Sequence, residues 1–113
     1  MQIKLKDSDG VAICCISGEV TIDTAPELKK TFKKIIDNKT HKVLLDFRGV
    51  NYIDSSGLAS LIDFSRNLKI IQGMVFMSEL SPKVSSIFSI TKLDKIFRIF
   101  DTEEEALKNL YGR

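Results

Sequence analysis

The residues with the clearest chemical potential form an Asp-Ser-Ser-Gly motif at 54–57. An apolar run at 43–47 precedes the motif, and apolar residues with i, i+3, i+4, i+7 spacing follow it from Leu58. This pattern predicts a strand, then the start of an amphipathic helix. A helix N-terminus exposes unpaired N–H groups and the positive end of the helix dipole. The sequence therefore predicts exposed hydroxyls in an environment that favours an anion.

A structural role explains the same motif equally simply. Asp54 or Ser55 can be the N-cap, whose side chain accepts a hydrogen bond from a backbone N–H in the first helical turn. Most helices begin with such a residue, so the motif by itself favours capping. The two roles are compatible, because one exposed hydroxyl can lie at a helix start and also accept a phosphate.

Enzymatic interpretations of the motif find little support. The nucleophile elbow of hydrolases has the pattern Gly-x-Ser-x-Gly, whereas Ile53 lies two residues before Ser55 and Asp54 two before Ser56. The single histidine, His41, lies in a polar connection that is typical of a surface residue. Neither glycine-rich phosphate-binding motif occurs. We therefore expect no enzyme, with a small hydrolase or nucleotide-binding enzyme as the remaining catalytic alternative.

Composition excludes several other classes. The 113 residues, 43% hydrophobic and 28% charged, suffice for one core. The 17 basic and 15 acidic residues are scattered, so no basic surface for direct nucleic-acid binding is predicted. The longest apolar run, 11–16, is far shorter than the ~20 residues that span a bilayer, and the N-terminus lacks a signal-peptide core. We expect a cytoplasmic protein without membrane insertion.

The cysteines predict neither a disulfide nor a metal site. Cys14 and Cys15 are adjacent, so in a strand they point to opposite faces and cannot pair with each other. One histidine and the absence of Cys-x-x-Cys spacing leave little to bind a metal. The sequence therefore predicts no metal and no cofactor.

Short predicted strands and helices, which alternate along most of the chain, must position the motif. Apolar segments at 3–5 and 11–16 flank Asp9-Gly10, which predicts a β-hairpin, and further strands are expected at 43–47, 74–77 and 96–100. Helix-start signals precede the intervening segments: Thr24 with Pro26 and Glu27, Ser81 with Pro82, and Thr102 with Glu105. Gly73 marks the predicted end of the second helix.

The order β-β-α-β-α-β-α-β-α defines an α/β fold class. Strands that alternate with helices imply parallel pairing through right-handed crossovers, and the early hairpin adds one antiparallel pair. The sequence therefore predicts one domain with a mixed, mostly parallel sheet of about five strands packed with four helices.

The Asp-Ser-Ser-Gly-Leu motif at 54–58 resembles that of the bacterial anti-sigma factor antagonists of the STAS domain family. Gly18-Glu19 with Thr24-Ala25, and the segment 80–84, Leu-Ser-Pro-Lys-Val, fall in the family's order and approximate spacing. The resemblance extends over nearly the whole chain, which implies a single STAS domain over residues 1–113.

The resemblance implies a regulator without enzymatic activity. In the family, the serine that matches Ser55 is phosphorylated by a partner that is both an anti-sigma factor and a serine kinase. The unphosphorylated antagonist binds that partner and frees a sigma factor, phosphorylation switches binding off, and a PP2C-type phosphatase restores it. The residues implied for partner binding are Gly18, Glu19, Thr21, Asp23, Thr24, Asp54, Ser55, Ser56 and Gly57.

Two positions depart from the family pattern. Ala59 stands where glycine is frequent after the leucine, a small change on a helix that we expect to be tolerated. Thr21 replaces the aspartate common after Gly-Glu-x, which is part of the partner-facing loop in many members, so the replacement bears on which partner is bound; Asp23 supplies a carboxylate nearby. STAS domains also act as scaffolds or regulatory subunits of other signalling or transport assemblies, which is the alternative function.

Overall fold

The chain forms five strands and four helices in the predicted order, in a computed structural model that describes residues 1–112. The strands are β1 (Gln2–Ser8), β2 (Val11–Val20), β3 (Lys42–Ile53), β4 (Met74–Ser78) and β5 (Arg98–Phe100). The helices are α1 (Ala25–Asp37), α2 (Ser55–Ile70), α3 (Pro82–Ile90) and α4 (Glu103–Tyr111), and a 3₁₀ turn, Leu93–Lys95, precedes β5.

The strands form one mixed sheet in the order β1-β2-β3-β4-β5. β1 pairs antiparallel with β2, and every other neighbouring pair is parallel. Asp9 (φ 50°) and Gly10 (φ 88°) both have positive φ, as the predicted hairpin turn requires. The predicted fold class, a mixed and mostly parallel sheet packed with four helices, is confirmed.

The two faces of the sheet are covered unequally. The larger apolar cluster joins one face to α1, α2 and α3, and the smaller one joins the opposite face to α4. Cys14 lies in the larger cluster and Cys15 packs against the smaller, so the prediction that they point to opposite faces is confirmed. Burial raises the pKa of the Cys14 thiol to about 12, which keeps it protonated and apolar in character.

β2 and β3 both extend beyond their predicted ends. The apolar pattern predicted β3 to end at residue 47, but β3 continues to Ile53, while its pairing with β4 stops at Asp46 and Ser78. Within residues 1–112, its last residues pair only with the end of β2, up to Val20 and Ile53. We call this two-stranded extension, residues 17–20 with 49–53, the ribbon. It projects from the sheet and carries the Asp-Ser-Ser-Gly motif at its tip.

Of the side-chain caps predicted for α1, α3 and α4, those of α3 and α4 form. The hydroxyls of Ser81 and Thr102 accept hydrogen bonds from backbone N–H groups three residues on, at 3.2 and 3.1 Å. The predicted cap by Thr24 is wrong, because a backbone turn already occupies that position: the N–H of Ala25 donates to the carbonyl of Thr21 at 2.7 Å. The Thr24 hydroxyl instead accepts from the N–H of Thr21 (2.8 Å) and donates to the carbonyl of Glu19 (2.9 Å).

None of the helices between residues 1 and 112 combines the length and the apolar character needed to cross a bilayer.

Candidate functional site

Asp54 joins two separate segments of the chain at the tip of the ribbon. Its Oδ1 accepts a hydrogen bond from the N–H of Gly57 (2.9 Å), which makes it the N-cap of α2, as the sequence predicts. Its Oδ2 accepts a hydrogen bond from the N–H of Ile22 (3.0 Å) in the loop before α1. One carboxylate therefore fixes the loop at residues 21–24 to the start of α2.

The same hydrogen bonds favour the ionised form of this carboxylate. The pKa of Asp54 lies below its ordinary value of 3.8, mainly because of the Gly57 N–H and further because of the Ile22 N–H, while partial burial acts in the opposite direction. Because the pKa of Asp54 is lower in the folded protein than in the unfolded chain, the ionised carboxylate stabilises the fold at pH values above its ordinary pKa. This stabilisation is lost as the pH falls through the lowered pKa.

We therefore predict that the difference in melting temperature between wild type and Asp54→Asn is constant above about pH 5 and shrinks below the ordinary value of 3.8. The Gly57 and Ile22 N–H groups bond to different oxygens of Asp54, and asparagine replaces one of those oxygens by an NH₂ group that donates, so one of the two bonds is lost. Circular dichroism melts across pH 2–7 measure this, with Asp63→Asn, an exposed carboxylate on the same helix, as the control. A difference independent of pH would contradict the assignment.

The two serines of the motif have different environments. Ser55 is the first residue of α2 and is exposed, and no side-chain hydrogen bond of its hydroxyl occurs within residues 1–112. Ser56 is half-buried, and its carbonyl accepts a hydrogen bond from the Ser60 hydroxyl at 3.0 Å. The Ser55 hydroxyl is therefore the more accessible of the two to a modifying enzyme.

Gly57 packs directly against the ribbon. A Cβ at this position would lie 2.7 Å from the Val20 carbonyl oxygen and 2.7 Å from Cγ1 of Ile53. The Val20 carbonyl also accepts a hydrogen bond from the N–H of Asp54 at 3.0 Å. The absent side chain thus allows the start of α2 to lie against β2 and fixes where Ser55 is presented.

The predicted partner-binding residues differ in position and in exposure. Glu19 pairs with Tyr52 across the ribbon and is exposed, while Thr21 and Thr24 are half-buried and hydrogen-bond to each other. Asp23 is exposed in the same loop. Gly18 lies at the base of the ribbon instead, with φ +93°. A Cβ at this position would lie only 3.1 Å from Cα of Met1.

Two apolar side chains that were not predicted individually as partner-binding residues flank the site. Ile22 is 68% exposed and Tyr52 is 37% exposed. Ile22 reaches the site through its N–H bond to Asp54, and the Nζ of Lys83 lies 5.3 Å from the centre of the Tyr52 ring. An isoleucine between polar neighbours in a loop is the only sequence signal for this apolar surface.

A second group of reactive side chains lies on the α4 face of the sheet. The ligand atoms of Cys15, Asp46 and Glu103 all lie within 4.8 Å of one another, a grouping that the sequence analysis did not predict. Hydrogen bonding to Asp46, burial and the charge of Asp46 raise the pKa of Glu103, against the opposing charges of Lys6 and Arg48. Burial, followed by the charge of Asp46, also raises the pKa of Cys15.

The fold and the site together define a small mixed α/β domain that presents an exposed serine beside an apolar surface. The chain belongs to the STAS domain family, whose model matches residues 2–106.

Similar proteins carry names from transcriptional regulation. A protein of Bordetella bronchiseptica named as a candidate anti-sigma factor antagonist, BtrV, is 29% identical over 94% of this chain and 91% of its own length. The anti-sigma-B factor antagonist of Listeria monocytogenes is 29% identical, with 93% and 91% covered. The crystal structure of an anti-sigma factor antagonist from Mycobacterium paratuberculosis has a TM-score of 0.90 and 25% identity, with 97% and 93% covered.

Proposed function

We propose that this protein is a cytoplasmic anti-sigma factor antagonist whose binding is switched off by phosphorylation of Ser55. The observation that carries the proposal is the exposed Ser55 hydroxyl at the first residue of α2, which makes no side-chain hydrogen bond within residues 1–112 and lies next to the carboxylate that joins α2 to the loop at 21–24. The names of the similar proteins support a function as an anti-sigma factor antagonist, and the proposal gives this chain no catalytic activity.

The unphosphorylated protein binds an anti-sigma factor that has serine kinase activity, and this binding releases a sigma factor. The contact surface contains the loop at 21–24, the exposed side of the ribbon and the start of α2. Ile22 and Tyr52 supply apolar area to that surface, and Glu19 and Asp23 supply charge at its edge. An apolar centre with a charged rim is the composition expected of a protein interface.

Phosphorylation acts on this surface without refolding the domain. A phosphate on Ser55 adds about −1.5 to −2 charges at pH 7, and the positive end of the helix dipole at the start of α2 favours an anion there. The ionised Asp54 lies beside it, so like charges are placed together in a region that must lose water on binding. A PP2C-type phosphatase reverses the modification and restores binding.

The proposal is tested by incubating the protein with ATP and each candidate anti-sigma factor kinase from the same genome, then locating the phosphate by mass spectrometry. We expect one phosphate, on Ser55, and none in Ser55→Ala. Ser56→Ala is the matched control, since it removes the neighbouring hydroxyl and leaves Ser55 in place. Labelling that persists in Ser55→Ala, or stable kinase binding without any labelling, would overturn the assignment.

A further inference from the structure

One long edge of the sheet has no strand beside it. β1 is the end strand of the sheet, and within residues 1–112 no other strand pairs with its outer side. Most of its seven residues are exposed, and Leu5 is 42% exposed. The opposite edge, formed by β5, is only three residues long. A long exposed edge presents a row of backbone donors and acceptors that can pair with an added strand.

The hairpin determines which backbone groups of β1 point outward. The two-residue turn at Asp9-Gly10 joins β1 to β2, and the residues that flank it, Ser8 and Val11, are paired. In such a hairpin the flanking pair is hydrogen-bonded, and bonded pairs then alternate with non-bonded pairs along the two strands. The residues whose N–H and C=O groups point away from β2 are therefore Ile3, Leu5 and Asp7.

Contacts at both ends of β1 keep this edge ordered. At one end, the hydroxyl of Tyr111 in α4 donates to the Ser8 carbonyl at 3.1 Å and lies 2.6 Å from the Ser8 hydroxyl. At the other end, Ile3 packs against the larger apolar cluster. A strand that is already ordered loses less conformational entropy when another strand pairs with it.

A groove lies on each face of β1. On the α1 side, a groove of about 800 Å³ includes Leu5, Ala12 and Ile35 in its lining. On the α4 side, a groove of about 450 Å³ includes Lys4 and Lys6. Successive side chains of a strand point to opposite faces, so the side chains of an added strand would enter the two grooves in turn.

The two grooves differ in the side chains that they favour. Leu5 offers exposed apolar surface on the α1 side, whereas Lys4 and Lys6 are exposed on the α4 side. Asp46 also lines the α4-side groove, but it is only 6% exposed and Glu103 hydrogen-bonds to it. The exposed charge on the strand itself is therefore positive, which favours acidic side chains opposite it.

A second copy of this chain is a poor occupant of this edge. When two β1 strands pair antiparallel, the register that pairs all seven residues is centred on Leu5. That register places Lys4 of each copy directly opposite Lys6 of the other, and like charges in opposed positions are destabilising. Lysines on an exposed edge strand protect against such self-pairing.

We propose that the outer edge of β1 binds an extended segment of another protein in which apolar side chains alternate with acidic ones. The backbone of that segment pairs with β1, its apolar side chains enter the groove beside Leu5, and its acidic side chains lie beside Lys4 and Lys6. In this mode of binding the backbone hydrogen bonds supply affinity and the alternate side chains supply specificity. The proposal does not depend on the phosphorylation of Ser55.

Fluorescence anisotropy with two labelled nine-residue peptides tests the charge preference. In one peptide valine alternates with glutamate, and in the other valine alternates with lysine. Wild type is expected to bind the glutamate peptide at least about tenfold more tightly, and the double variant Lys4→Glu, Lys6→Glu is expected to reverse that preference. Lys95→Glu changes an exposed lysine in the turn before β5, at the opposite edge, and is expected to keep the wild-type preference.

Two outcomes of the peptide titrations would overturn the proposal. One is the absence of saturable binding of the glutamate peptide to wild type. The other is a preference for glutamate that persists in the double variant, because binding would then not involve the two lysines of β1.

A proline on β1 tests whether the backbone of the edge takes part. Leu5→Pro removes an outward N–H and no hydrogen bond to β2, so we expect the far-ultraviolet circular dichroism of wild type and peptide binding at least about tenfold weaker. Leu5→Val keeps both the N–H and an apolar side chain, and it is expected to bind the peptide within about twofold of wild type. Equal affinity for the two variants would contradict strand addition.

Amide hydrogen exchange on wild type gives a test that needs no variant. Saturation with the glutamate peptide is expected to slow exchange of the Leu5 N–H and to change little at Lys4 and Lys6, whose N–H groups already bond to β2. Unchanged exchange at Leu5 in the peptide complex would overturn the proposal.

Sedimentation velocity of the protein without peptide distinguishes the remaining occupant. We expect no dimer that depends on β1. A dimer that Leu5→Pro dissociates would assign this edge to a second copy of the chain and would also overturn the proposal.

Discussion

Phosphorylation of Ser55 is expected to lower the affinity for the proposed anti-sigma factor kinase by roughly two to three orders of magnitude or more. Leaving a charge buried and unpaired in an interface costs about 3–5 kcal/mol, and each 1.4 kcal/mol is about a tenfold change in affinity. The estimate applies here because the phosphate lies beside Asp54, whose carboxylate already accepts two backbone hydrogen bonds and is held ionised.

Two substitutions of Ser55 separate the effect of an added charge from the effect of losing the hydroxyl. Ser55→Ala is expected to bind as wild type does, because the Ser55 hydroxyl has no side-chain hydrogen bond within residues 1–112 that its removal would break. Ser55→Asp adds one negative charge, fewer than a phosphate, so we expect a smaller but clear loss, about tenfold to a hundredfold. Isothermal titration calorimetry with the purified kinase measures all three proteins.

A matched control tests whether charge at this position, and not charge in general, is responsible. Ser89→Asp adds the same charge at an exposed position near the end of α3, away from the start of α2, and is expected to bind like wild type. Far-ultraviolet circular dichroism is expected to be unchanged in every variant, because an anion at the start of α2 requires no refolding. Equal affinity for wild type, Ser55→Ala and Ser55→Asp would contradict the proposed switch.

The sequence predicted the elements well because each carries its own local signal. Asp9-Gly10 encodes the hairpin turn, and the apolar runs at 43–47 and 74–77 encode buried parallel strands. The length of β3 was not predictable in this way, because its last six residues include exposed residues at 48, 49, 51 and 52. Only pairing with the end of β2 keeps those residues extended, and such pairing is a property of the folded chain.

Helix endings show the same distinction between local and tertiary causes. Gly73 was predicted to mark the end of α2, but Gln72 has the left-handed conformation, with φ 62°. The N–H groups of Gln72 and Gly73 donate to the carbonyls of Lys69 and Leu68, at 3.0 and 2.7 Å, in the double hydrogen bond of a Schellman motif. Gly73 is needed for space instead, since a Cβ there would lie 3.0 Å from the His41 carbonyl oxygen.

The motif could be found from the sequence, but its attachment to the rest of the site could not. Capping by Asp54 follows from the residue type and its position before a helix. The second hydrogen bond of Asp54, to Ile22, joins residues far apart in the chain, and no periodicity or propensity encodes it. The exposed Ile22 and the group at Cys15, Asp46 and Glu103 depend in the same way on tertiary pairing.

Gly57→Ala is expected to destabilise the protein by about 2 kcal/mol, although alanine is the better helix former. The new Cβ would lie 2.7 Å from the Val20 carbonyl oxygen, which is backbone of the ribbon and also accepts from the N–H of Asp54. Overpacking of this kind costs about 1–3 kcal/mol or more, and the gain of about 1 kcal/mol in helix propensity does not offset a contact with backbone. Thermal unfolding should then show a melting temperature lower by about 5–15 °C.

Gly112→Ala provides the matched control for this substitution. A Cβ at Gly112 would lie 3.5 Å from the Lys108 carbonyl oxygen, an ordinary contact, so we expect its stability to equal that of wild type within about 0.5 kcal/mol. The loss at Gly57 must also affect binding, because movement of α2 away from the ribbon separates Asp54 from Ile22 and displaces Ser55. A Gly57→Ala protein with both the melting temperature and the kinase affinity of wild type would show that the close approach of α2 to β2 is not required to present Ser55.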